Sequence, residues 1–105
     1  MTKYQMLYDL RSILRSLERD LGLSELSTPE RDVFLAAQSL TDRSGRVIFS
    51  TDIRHHALVK DVPPATYHRA LRVLLERGFL QKAHGAKAKS YVVPEIIDEQ
   101  STQTM

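Results

Sequence analysis

Between Lys3 and Leu21 the apolar residues Met6, Leu7, Leu10, Ile13, Leu14, Leu17 and Leu21 recur at spacings of three and four. At 100° per residue they form a stripe roughly 120° wide, which predicts an amphipathic helix ending at Gly22. The other side carries Tyr4, Tyr8, Arg11, Arg15 and Arg19 about one turn apart. Stacked like charges weaken an isolated helix slightly, so these arginines are expected to find acids elsewhere. The stripe either covers its own domain or packs against a second copy of the chain, and the two uses can coexist.

A second helix is announced by Ser27-Thr28-Pro29-Glu30. Ser27 can cap it, Glu30 can reach back as a capping box, and proline is tolerated in the first turn. The pattern predicts that it runs to about Leu40 and buries Val33, Phe34, Ala37 and Leu40. Thr41-Asp42-Arg43-Ser44-Gly45 reads as a turn by composition. Val47-Ile48-Phe49 is a short β-prone run, after which Ser50 or Thr51 is expected to cap a short third helix holding Ile53 and Ala57.

The fourth helix is bounded by Pro63-Pro64 and Gly78, and spans about Pro64 to Arg77. Tyr67, Ala70, Leu71, Leu74 and Leu75 make its apolar face, with Ala65, His68, Arg69, Arg72 and Glu76 opposite. Two strands are then expected, over residues 79–84 and 89–93, joined by the hairpin tip Gly85-Ala86-Lys87-Ala88. Beyond Pro94 the chain is polar apart from Ile96 and Ile97 and is expected to fray. The elements thus divide the chain into an N-terminal helix (1–22), a domain over 26–93 and an acidic, polar tail (94–105).

Composition narrows the function classes. A chain of 105 residues with 42% apolar content suits one core. With no cysteine, disulfides, thiolate zinc sites and cysteine nucleophiles are excluded together. No apolar run approaches the roughly 18 residues of a membrane span, and Asp9, Arg11 and Arg15 interrupt any signal-peptide core. The expectation is a cytoplasmic, nucleoid-associated protein without membrane contact.

The formal charge of +2 conceals an asymmetry. Residues 1–42 hold five basic and seven acidic side chains, for −2, and residues 94–105 hold three acids, for −3. Residues 43–93 hold ten basic side chains against Asp52, Asp61 and Glu76, for +7. A basic middle between acidic ends is the asymmetry expected of a polyanion-binding surface, the alternative being a solvated basic surface with no such partner.

The predicted order is helix, helix, short strand, helix, helix, strand, strand: a mainly α fold with a small β-hairpin wing, in the α+β class. The stretch Val62-Pro63-Pro64-Ala65-Thr66-Tyr67-His68-Arg69-Ala70-Leu71-Arg72-Val73-Leu74-Leu75-Glu76-Arg77-Gly78-Phe79-Leu80 resembles the recognition helix and first wing strand of bacterial winged helix-turn-helix transcriptional regulators. Leu26-Ser27-Thr28-Pro29-Glu30-Arg31 looks like the start of the helix that precedes the motif in MarR-like and Fur-like proteins. The likeness covers residues 26–93 and is a fold-level signature shared by many families. It departs from MarR-type wings in offering Lys87 and Lys89 where those present aspartate and arginine, and from Fur-type proteins in lacking cysteine ligands.

The resemblance implies sequence-specific binding of double-stranded DNA. The helix at 64–77 would lie in the major groove and the wing on the flanking backbone or minor groove. Pro64, Ala65, Thr66 and His68 would approach base edges, while Arg69 and Arg72 offer planar guanidinium groups to guanine or phosphate. Lys82, Lys87 and Lys89 on the wing, with Arg46 and Arg54, would hold the DNA backbone. Regulators of this kind usually dimerise, and Met6, Leu7, Leu10, Ile13, Leu14 and Leu17 are the residues expected at a homodimer interface. No cofactor or metal is expected, because His55 and His56 diverge by 100° on a helix and His68 and His84 are distant. No nucleophile elbow, glycine-rich phosphate loop or metal-ligand spacing points to an enzyme. The alternative reading is a winged-helix module that contacts another protein and not DNA.

Overall fold

The computed structural model describes residues 2–44, 47–83 and 89–94, with the backbone alone at 42–44. Lys87 and Arg46, expected at the DNA backbone, lie outside these residues, as do His84, the hairpin tip and the tail beyond Pro94. The fold is mainly helical with a small three-stranded antiparallel sheet.

Helix α1 (Lys3–Asp20) starts where Thr2 Oγ1 accepts the Gln5 N–H at 3.1 Å. It ends before Gly22, whose φ of 81° is open to a residue without Cβ. A 3-10 turn, Leu23–Glu25, leads to α2 (Thr28–Ser44). The expected capping box closes this helix: the Ser27 N–H donates to Glu30 Oε1 at 2.9 Å and the Glu30 N–H donates to Ser27 Oγ at 3.3 Å. Helix α2 then continues four residues past Leu40, through the segment that composition marks as a turn. None of those four residues is glycine or proline, so extending the helix costs little once it is nucleated.

Strand β1 (Ile48–Phe49) runs directly into α3 (Ser50–His55). The expected hydroxyl cap is absent there. Phe49 occupies the N-cap position without a side-chain hydrogen bond, and Ser50 lies inside the first turn with its hydroxyl directed to Tyr67. Ala57 falls beyond the helix and is exposed; Val59, in the turn that follows, is buried instead.

Helix α4 (Pro64–Glu76) ends in a Schellman arrangement. The Gly78 N–H donates to Leu75 O and the Phe79 N–H to Leu74 O, with Gly78 at φ 83°. This cap explains why the next strand is shorter than its sequence pattern. Phe79 and Leu80 both direct their N–H groups at Leu74 O, so β2 begins only at Gln81 (Gln81–Lys82). Strand β3 (Ser90–Val92) lies between the other two, in the order β1-β3-β2. Tyr91 faces Ile48 on one side and Lys82 on the other.

The core gathers where α2 packs against α4. Val33, Ala36 and Ala37 of α2 are fully buried against Tyr67, Ala70 and Leu74 of α4, with Ile53, Val59 and Leu80 closing the ends. Ala36 belongs to this face although the spacing did not single it out, and Leu40 packs at the margin, only partly buried. The alanines let the two helices approach closely. Phe34 and Phe79 meet edge to face, 5.3 Å between centroids at 71°.

Helix α1 contributes nothing to this core. None of its residues is buried, and Met6, Leu7, Leu10, Ile13, Leu14, Leu17 and Leu21 are 49% to 63% exposed. Of the two uses the pattern left open, covering its own domain is not the one adopted within a single chain. Nor do its arginines find acids in ion-pair range among the described residues. Among the described residues the one ion pair joins Arg77 Nη1 and Glu25 Oε1 at 3.7 Å.

Candidate nucleic-acid interface

The two faces of α4 separate as its sequence pattern demands. Tyr67, Ala70, Leu71 and Leu74 are buried, with Val73 and Leu75 partly so. Pro64, Ala65, His68, Arg69, Arg72 and Glu76 are exposed, and Thr66 is half-buried at the edge between the faces. Arg69 Nη2 donates to Thr66 Oγ1 at 3.4 Å, a weak contact between exposed groups. Arg69 and Arg72 form no ion pair among the described residues. The first turn is short-side-chained, with Pro64 at N1, Ala65 next, and no acidic residue. It therefore presents free backbone N–H groups and little bulk to an anion or a base edge.

Behind the exposed face, Tyr67 holds the unit together. Its ring is fully buried, and its hydroxyl lies 2.7 Å from Ser50 Oγ at the start of α3. Arg54 of α3 places its guanidinium 4.9 Å over the same ring and donates from Nη1 to Val62 O at 2.9 Å. The His68 ring stands edge to face against Tyr67 at 5.2 Å. Burial raises the Tyr67 phenol above its ordinary value of 10.0; the Ser50 hydrogen bond and the Arg54 charge act against the rise, and Tyr91 adds to it. Arg54, expected as a DNA-backbone contact, is half-buried in this arrangement and braces α3 against the entry to α4. Sequence reasoning assigned Tyr67 to the core but missed its hydroxyl. The available signal was a tyrosine at an interior position, since a buried phenol needs a partner.

Lys82 of β2 and Lys89, which precedes β3, are both exposed on the hairpin that follows α4. The described histidines do not assemble. His55 Nδ1 lies 2.7 Å from Thr51 O, and His56 Nδ1 accepts the Leu58 N–H at 3.1 Å. Among the described residues no group of three or more His, Cys, Asp or Glu is placed to hold a metal ion.

A second cluster went unnoticed in the sequence. Arg15, Glu18, Arg19, Ser24 and Arg31 line an open cleft of about 210 Å³ between α1, the 3-10 turn and α2. Burial and the nearby Glu18 raise the pKa of the neighbouring Asp32, with Arg31 opposing them. Arg31 itself reaches only long contacts, to Leu23 O and Thr28 Oγ1, each at 3.5 Å.

In class, the chain is therefore a mainly α protein with a three-stranded antiparallel sheet and a two-faced fourth helix. No family model, curated protein or solved structure matches it. No described helix is long and apolar enough to cross a membrane.

Proposed function

We propose that residues 26–93 form a winged helix-turn-helix domain that binds double-stranded DNA in a sequence-specific manner, as a transcriptional regulator. Helix α3 and helix α4 form the helix-turn-helix, and the β2-β3 hairpin forms the wing. The observation that carries this reading is the outer face of α4, where Ala65, His68, Arg69 and Arg72 are exposed together while the opposite face is locked in the core. A helix can read the major groove only if it is rigidly backed and its outward side chains donate hydrogen bonds, and this one meets both conditions. Lys82 and Lys89 are exposed on the hairpin that follows, within a segment whose charge is +7. Arg69 and Arg72 are the principal readers or phosphate clamps, and Pro64, Ala65 and Thr66 allow close approach at the helix start. Arg54 serves the site from behind, by fixing α3 against α4.

Selection of bound sequences from a random duplex library, followed by titration of the enriched duplex at several salt concentrations, tests the reading. The log of affinity should fall with the log of salt by about 0.9 per phosphate contacted. Replacing both Arg69 and Arg72 by Ala should weaken binding by about 1–3 kcal/mol per residue if they reach guanine, with the helical circular dichroism unchanged. A flat response to salt, with no enriched sequence, would favour the rival role of a module that contacts another protein.

A further inference from the structure

We infer that this chain forms a homodimer in which α1 pairs antiparallel with α1 of a second copy. Leu7, Leu10, Leu14, Leu17 and Leu21 alternate at spacings of three and four, the repeat that keeps a seam facing a partner helix. All five are about half exposed or more, together with Met6 and Ile13 beside them. The seven side chains form one continuous apolar strip along the helix, and contiguous exposed apolar surface of this kind marks an interaction site on a soluble protein. The helix buries none of its residues within its own chain, so it is free to be covered from outside.

The flanks of the seam decide the direction. Met6 and Ile13, seven residues apart, lie along one flank; Arg11 and Glu18, also seven apart, lie along the other. In a parallel pair each flank meets the opposite flank of its partner, which would set Met6 and Ile13 against Arg11 and Glu18. In an antiparallel pair like flanks meet. Arg11 of each copy then faces Glu18 of the other, giving two symmetric opposite-charge contacts that the parallel arrangement lacks. That register brings Leu14 over Leu17 of the partner and Leu10 over Leu21 of the partner. It also gives Arg11, which has no ion pair among the described residues, a carboxylate. Glu18 is half-buried at the edge of the cleft it shares with Arg15, Arg19 and Arg31, and the pairing turns its carboxylate toward Arg11 of the partner.

The test needs no DNA, so it stands or falls apart from the proposed DNA binding. Sedimentation of the full chain at micromolar concentration should show a dimer of the 12.0 kDa chain. The double variant Leu10→Glu plus Leu14→Glu should raise the dimer dissociation constant by at least about 100-fold while the near-ultraviolet signal of the buried tyrosines persists. Direction is read by mixing two variants, Arg11→Glu and Glu18→Lys. Each alone places like charges across the antiparallel pair and should dimerise more weakly than wild type. Mixed, they restore both opposite-charge contacts, so native mass spectrometry should find heterodimer well above the about one half that random mixing gives. A monomeric wild type, or a dimer indifferent to the leucine changes, overturns the α1 interface. A random mixture overturns the antiparallel arrangement.

Discussion

Tyr67 shows how much one residue contributes to the positioning of the candidate surface. Its ring fills the centre of the core, its hydroxyl meets Ser50, and the Arg54 guanidinium covers its face. Removing the hydroxyl in Tyr67→Phe leaves Ser50 without that partner and should cost about 1–2 kcal/mol in urea unfolding at pH 7. The same position sets an alkaline limit. Because the phenol is held above its ordinary value of 10.0, its contribution to stability is fully present below that value and is lost as pH rises through the higher folded-state value. Tyr91 is shifted in the same direction by burial. Thermal unfolding followed above pH 10 should therefore show a steep loss in wild type and a shallower one in Tyr67→Phe, with Tyr91 accounting for the remainder.

Helix α4 is the element in which fold and proposed function separate by face. Leu74 is fully buried, and its carbonyl also accepts two N–H groups in the C-terminal cap. Leu74→Ala should destabilise by about 2–5 kcal/mol through lost burial and the cavity left behind. Arg72, two residues away on the exposed face, should change stability by no more than about 0.5 kcal/mol when replaced by Ala. The contrast is measured in one series of denaturant midpoints. If Arg72→Ala unfolded the protein, the outer face would be structural and its role as a reading surface would lose its main support. The sequence made this division legible because a 3.6-residue period assigns sides without knowledge of the neighbours. It could not show that Arg54 turns inward, because that depends on where α3 places its guanidinium relative to Tyr67 and Val62.

At the scale of the whole molecule, α1 stands apart from the core that holds the rest. An 18-residue helix with no buried residue and a column of arginines has little intrinsic stability in water. If α1 pairs as inferred above, its helicity should depend on the partner helix. Diluting the protein below the dimer dissociation constant should lower far-ultraviolet helicity as α1 frays, while the near-ultraviolet signal from Tyr67 and Tyr91 stays constant. Thermal midpoints should rise with protein concentration for the same reason. Helicity unchanged over a wide dilution range, in a protein shown to dissociate over it, would mean that α1 is stable alone.

The sequence by itself determined the helices and their apolar faces, the capping box at Ser27 and Glu30, the stop at Gly78 and the approximate place of three strands. These depend on interactions within a few residues, where period, caps and glycine leave few alternatives. Tertiary structure decided the rest. It drew Ser50 away from capping α3 toward Tyr67 and turned the Arg54 guanidinium inward over the same ring. It also left the α1 stripe uncovered, a result no periodicity could supply, because an apolar face states only that something must cover it.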